Sequence, residues 1–226
     1  MQRELAIIQN DPEVPAGVFG ELLTEWRVPF RIVRPDLGEL LPAAGDAAIV
    51  LGGAMGVHDE AAHPFLREIK GWLARLLADG TPLLGICLGG QLLAEVAGGM
   101  VSSNRCGEKG LVEVELTGAG AADPLFAGIP RCFPVFQWHN DSFTIPPGAA
   151  HLAGSRGCPG QAFRTGNAWG VQFHPEVDGA IVAAWSRKTP DAARLTGRFA
   201  AAEAGHRALA RQLLANFLDA ARPGGR

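Results

Sequence analysis

The chain lacks a cluster of lysine or arginine, a long uninterrupted apolar run, a closely spaced cysteine pair and a Gly-Lys-Ser/Thr phosphate loop. Each absence removes a class of function. The 20 basic residues are scattered among 23 acidic ones for a net charge of −3, so no footprint exists for a nucleic-acid backbone and nucleic acid is not expected as a partner. No segment reaches the roughly 18 consecutive apolar residues of a membrane span, and the polar residues up to Asp11 interrupt any signal-peptide core. The expectation is a soluble, cytoplasmic chain with no membrane partner. Cys87, Cys106, Cys132 and Cys158 are widely separated with no Cys-x-x-Cys pair, which points to reduced thiols rather than a zinc knuckle or a disulfide framework. His58 and His63 are five apart in a loop, not four apart on a helix, so no metal is expected in the chain, and no cofactor.

What is present is globular. At 226 residues with 47% hydrophobic and 19% charged content, the length suits one large domain spanning 1–226. Leu5–Gln9, Phe30–Val33, Ala47–Leu51 and Leu83–Ile86 read as buried strands without polar alternation. Between them, Pro15–Arg27 and Pro64–Asp79 carry apolar stripes at helical spacing, the second through Phe65, Ile69, Trp72, Leu73, Leu76 and Leu77. This alternation predicts a parallel sheet covered on both faces. Beyond Gly98-Gly99, strands dominate: 110–116, 132–138, 151–153, and 162–164 against 169–173 across a turn at Thr165-Gly166-Asn167. A helix over 198–222, buried through Leu209, Leu213, Leu214 and Phe217, ends in a Pro-Gly-Gly-Arg segment expected to fray. Trp26, Trp72 and Trp185 read as core residues on helical stripes.

Three stretches carry chemistry. Gly85-Ile86-Cys87-Leu88-Gly89-Gly90 places a cysteine between a strand and a helix, flanked by glycines that a tight elbow needs. Helix-start N–H groups there favour a thiolate and a developing oxyanion; equally, a free cysteine at a strand end is often a small buried hydrophobe. Phe173-His174-Pro175-Glu176 follows a strand, so His174 could serve as base and Glu176 as the carboxylate that orients it, or both could be ordinary turn residues. Ala48–Gly56 runs from a buried strand into a Gly-Gly-Ala-Met-Gly loop, where Gly53 and Leu88 could pair their N–H groups as an oxyanion hole. A plain tight turn fits the same text.

Taken together, the Gly-Gly-Ala-Met-Gly loop, the Gly-Ile-Cys-Leu-Gly-Gly-Gln elbow and the Phe-His-Pro-Glu end resemble the class I (triad-type) glutamine amidotransferases. The Gln137-Trp138-His139-Asn140-Asp141 segment is most similar to their GMP-synthetase-like stand-alone domains. The resemblance implies a three-layer, flavodoxin-like α/β fold: an open, mostly parallel sheet with antiparallel hairpins in its C-terminal half. It implies that Cys87 attacks the γ-amide of glutamine, that His174 moves the protons, that Glu176 orients His174, and that Gly53 and Leu88 hold the oxyanion. Gln91, Asn140 and His139 would bind the substrate, although a structural hydrogen bond between His139 and Asp141 competes for the last. A γ-glutamyl thioester would form and be hydrolysed, releasing ammonia and glutamate.

Two departures bear on the substrate. Many members carry histidine or alanine at the position of Gly90 and proline at that of Ala54, and the smaller residues here suggest a wider pocket. A γ-glutamyl peptidase or hydrolase acting on another γ-glutamyl compound therefore stands beside the glutaminase reading, as does a non-catalytic binding protein of the same fold. No nucleotide-binding loop is present, so an ammonia acceptor would come from a separate synthetase subunit, with 179–198 and the C-terminal helix as docking surfaces.

Overall fold

The computed structural model describes residues 4–43 and 47–222, so the closing Pro-Gly-Gly-Arg segment lies outside the described residues. The four apolar runs of the first half form β1 (Leu5–Ile8), β2 (Phe30–Val33), β3 (Ala48–Val50) and β4 (Leu83–Ile86). The helices that alternate with them are α1 (Gly17–Glu25), α2 (Phe65–Ala78) and α3 (Leu88–Val96). Then come β5 (Val101–Ser102), β6 (Glu108–Leu116), α4 (Gly118–Ala121), β7 (Cys132–His139), β8 (Ser142–Phe143) and β9 (Ala150–Ser155). The chain closes with β10 (Ala162–Thr165), β11 (Ala168–Val171), α5 (Gly179–Ser186) and α6 (Ala192–Ala220).

Among the described residues, nine strands form one sheet in the order β2-β1-β3-β4-β11-β10-β9-β6-β7, while β5 and β8 make a separate ribbon. Pairing is parallel from β2 through β11 and antiparallel from β11 through β7, so seven of the nine strands run one way and only β10 and β6 oppose them. Gly166, at φ +56, opens the two-residue hairpin between β10 and β11, as a II′-type turn requires.

The pleat explains the two covering layers. Ile7, Ile49, Leu84 and Ile86 point to the face packed by α1 and α6 through Phe19, Leu22, Leu213, Leu214 and Phe217. Ala6, Ile8, Ala48 and Val50 point to the other face, which α2 and α3 cover through Ile69, Trp72, Leu88 and Leu92. Each large side chain so buried contributes roughly 1.5–3 kcal/mol. The helix after β1 lies on one face and those after β3 and β4 on the other, so the crevice at the C-terminal edge of these strands is a topological switch point.

Several details differ from the sequence reading. Leu66 enters the core, whereas Phe65 and Leu77 at the ends of the stripe are only partly buried. The last helix starts at Ala192 rather than near 198, and 179–186 forms its own helix, because Asp178 caps Ile181 N–H at 2.8 Å. Trp26 is half-buried beneath the Arg211 guanidinium, 5.3 Å from its ring centre. Trp185 is half-buried, packing on Phe136 at the edge of the core and also lining the cleft described next.

Candidate active site

Cys87 occupies the junction of β4 and α3 at φ 49°, ψ −108°, a region that a side chain seldom adopts. The glycines around it explain how the turn closes. A Cβ at Gly85 would come within 2.5 Å of the Gly89 carbonyl oxygen, and one at Gly89 within 2.1 Å of that of Val50, so α3 lies directly on β3 and β4. Gly90 serves the same packing. Its missing Cβ would meet the Val171 carbonyl oxygen at 2.7 Å, so this glycine faces the backbone of β11 and does not widen the pocket.

The pairing of β11 with β4 brings the second stretch to the elbow. Val171 is opposite Ile86, and Cys87 N–H donates to the Val171 carbonyl at 2.8 Å. The chain leaving β11 then carries Gln172 and His174 past the sulfur. His174 N–H donates to the Phe136 carbonyl at 2.8 Å, and its Nδ1 lies 2.7 Å from Glu176 Oε1, with both side chains buried. The Trp185 ring meets the imidazole edge-on at 4.9 Å between centroids. Gly52 leaves room for this arrangement, because a Cβ there would lie 3.1 Å from His174 Cε1 and 3.6 Å from Cys87 Cβ.

The electrostatics follow from burial and neighbours. Burial alone would lower the His174 pKa, but the Glu176 carboxylate and the Cys87 sulfur outweigh it and raise the group from 6.5 to about 10. An imidazolium is therefore favoured between these two groups at neutral pH. Cys158, in contrast, is pushed up to about 12 by burial, with the adjacent Cys106 thiol and Glu108 adding to the effect. Cys132 is exposed at the far edge strand.

The glycine loop after β3 faces the elbow. Gly53 lines the cleft, and a Cβ on it would be 2.9 Å from Leu88 Cδ2, which places the two residues against each other. Asn10 Nδ2 holds the loop through the Leu51 carbonyl at 2.7 Å, and Asp11 Oδ2 accepts from Ala54 N–H at 3.0 Å. The cleft measures about 360 Å³ and includes Cys87, His174, Gln91, Gly53, Asn140 and Trp185 in its lining. Asn140 is exposed at its mouth. His139 also borders it, yet both ring nitrogens turn inward: Nδ1 is 2.9 Å from the Asp141 carbonyl oxygen and Nε2 is buried. Its structural bond to Asp141 is thus made to the backbone.

The class-I glutamine amidotransferase profile matches residues 22–181. The chain belongs to that family. It is 43% identical over 148 residues to a GMP synthase [glutamine-hydrolyzing] of Aeropyrum pernix, covering 62% of this chain and 26% of the synthase. It is 42% identical over 99 residues to a GMP synthase [glutamine-hydrolyzing] subunit from Thermococcus kodakarensis, covering 42% of this chain and 51% of that relative. The match therefore spans about a quarter of the first relative and about half of the second. A crystal structure of a glutamine amidotransferase from Thermotoga maritima superposes with a TM-score of 0.88 at 29% identity, covering 96% of this chain and 99% of that one. Fold class and family thus agree with the expectation. Among the described residues, no helix is long and apolar enough to cross a membrane.

The cleft has members that the sequence reading missed. Gln172 is fully buried and bridges two expected residues: its Nε2 donates to Cys87 Sγ at 3.5 Å and its Oε1 accepts from Gln91 Nε2 at 3.3 Å. Gln91 Nε2 also donates to the Asp141 carbonyl at 3.1 Å. A polar residue in an otherwise apolar strand exit, two positions before His174, was the available signal for Gln172. Asn10 and Asp11, just beyond β1, gave none, because only the β1–β3 pairing brings them beside the glycine loop.

Proposed function

We propose that this chain hydrolyses the γ-amide of glutamine through a thioester on Cys87, releasing ammonia and glutamate. The convergence of Cys87, His174 and Glu176 in one cleft carries the reading, since a binding site needs no nucleophile, base and orienting carboxylate together. The Cys87 thiolate attacks the amide carbon, and the carbonyl π electrons move to oxygen, where the Gly53 and Leu88 N–H groups receive the charge. Collapse of that adduct expels the amine, which takes its proton from the His174 imidazolium and leaves as ammonia. Water then loses a proton to His174 as it adds to the thioester, and glutamate departs as the sulfur is released. Glu176 keeps the imidazole proton on Nδ1 and stabilises the cation.

Gln91 and Asn140 line the side of the cleft from which a zwitterionic head group would be bound, and His139 supports them through the Asp141 carbonyl. The γ-glutamyl peptidase alternative loses one of its supports, because Gly90 faces β11 rather than the pocket. We further read the chain as a single cytoplasmic domain that passes ammonia to a synthetase subunit. The mouth of the cleft offers Arg187 and Lys188 at the end of α5 for that contact. The test is ammonia release from glutamine by the wild type and by Cys87→Ala, compared with release from γ-glutamyl dipeptides. Turnover of glutamine that vanishes in Cys87→Ala supports the reading; faster cleavage of dipeptides than of glutamine would replace it with the peptidase.

A further inference from the structure

A second constellation lies behind the β7–β8 turn, away from Cys87. Glu108 at the start of β6, His139 at the end of β7 and Cys158 in the β9–β10 loop bring a carboxylate oxygen, an imidazole nitrogen and a thiol sulfur within 4.8 Å of one another. The Cys106 thiol, from the β5–β6 loop, lines the same cleft as Cys158.

His139 gives the group its meaning. Its Nδ1 faces the Asp141 carbonyl oxygen at 2.9 Å, an atom that only accepts, so Nδ1 carries the proton. In the neutral ring Nε2 then presents a lone pair. That nitrogen, on a side chain only 1% exposed, is buried, has no hydrogen-bond partner, and is 3.6 Å from Glu108 Oε2. A lone pair opposed to a carboxylate is repulsive unless a cation comes between them. The spacing is long for a charge-assisted hydrogen bond, which would close to about 2.7–2.9 Å. It is close to the roughly 3.3–3.8 Å that separates ligand atoms around a tetrahedral zinc ion.

We propose that Glu108, His139 and Cys158, completed by the Cys106 thiol from the adjoining cleft, form a binding site for a thiophilic divalent metal ion of the zinc class. The surroundings already orient the ligands. Glu108 Oε1 accepts from Ser155 Oγ at 2.8 Å and Oε2 from Gln161 Nε2 at 2.7 Å, while Cys158 N–H donates to Ser155 Oγ at 2.9 Å. Such outer contacts fix ligand rotamers and, through the Nδ1 bond, the histidine tautomer. A cleft of about 350 Å³ lined by Cys106 and Cys158 provides an entry path. On binding, each thiol gives its proton to solvent, so two thiolates, one carboxylate and a neutral imidazole surround a dication with a net charge of −1. The Asp141 carbonyl that receives His139 Nδ1 also receives Gln91 Nε2, so the ion would steady a turn shared with the Cys87 cleft. Spacing along the chain hides this site, because its four residues come from three separate segments, 106–108, 139 and 158.

The test strips the full chain with a chelator and titrates it with Co²⁺ alone, then with Zn²⁺. One equivalent of Co²⁺ should bind with intense visible bands of tetrahedral geometry and a thiolate-to-cobalt transition in the near ultraviolet, and Zn²⁺ should displace it. Cys106→Ser, at a half-buried position tolerant of the change, should roughly halve that transition and weaken binding at least tenfold. Cys158→Ser should do the same, and Zn²⁺ should raise the wild-type melting temperature but not that of either variant. A pale octahedral spectrum, no stoichiometric binding at micromolar ion, or a signal that survives Cys106→Ser but disappears in Cys87→Ala would overturn the proposal. The last outcome would place the ion at the other cleft.

Discussion

Glu176→Gln isolates the electrostatic part of the proposed mechanism. The two side chains have the same shape, and Gln can still accept from His174 Nδ1, so what is removed is the charge. Its size follows from the imidazole. Glu176 is the larger of the two neighbouring groups that hold His174 at about 10 against burial. The ring must give up and regain a proton on Nε2 while Nδ1 stays bonded, so removing the charge should cost roughly 10²-fold or more in kcat. Misorientation of the ring can only add to this, towards the roughly 10⁴-fold seen when a serine triad loses its carboxylate. Glu176 is fully buried and takes no part in lining the cleft, so KM should change by less than about threefold. The assay is steady-state ammonia release across glutamine concentrations. A kcat within about threefold of wild type, or a loss confined to KM, would refute the reasoning. The same variant has a stability signature. A raised histidine pKa stabilises the fold fully below about 6.5, and this contribution fades as pH climbs to about 10. The urea midpoints of variant and wild type should therefore differ most near pH 6 and converge towards pH 10.

Cys87→Gly should abolish ammonia release while the elbow keeps its shape, because glycine adopts φ 49°, ψ −108° without strain but supplies no nucleophile; a glutamine assay beside a circular dichroism spectrum checks it. Gly89→Ala should cost about 3 kcal/mol, since its Cβ would lie 2.1 Å from the Val50 carbonyl oxygen and α3 would have to lift from β3; thermal unfolding measures the loss. His206 is buried against Phe199, and burial, with the nearby His174 charge adding to it, lowers its pKa to about 4. A depressed histidine stabilises above about 6.5 and that contribution is lost as pH falls towards 4, so the wild type should weaken by about 3 kcal/mol over that interval while His206→Phe weakens less. Urea midpoints at pH 7 and pH 4.5 decide it.

The local text announced most of the scaffold. The apolar runs of β1, β3 and β4, the stripes of α1 and α2 and the glycine-flanked Cys87 are short-range patterns, set by periodicity and by backbone freedom at glycine. The role of Gly90 was misread, because a missing side chain looks alike in sequence whether it opens a pocket or admits a neighbouring strand. Trp185 was assigned to the core without its second place at the cleft, since a helical stripe does not say which neighbour it meets.

What the sequence determined alone is where strands, helices and elbow form and which residue types could act as nucleophile, base and carboxylate. What only the tertiary structure decided is who meets whom. The insertion of β11 beside β4 places Gln172 and His174 at a sulfur some 85 residues earlier in the chain. The β6–β7 pairing likewise sets Glu108 opposite His139. Contacts of this range depend on sheet order and register, which arise from burying both faces of the whole sheet at once and are written in no single segment.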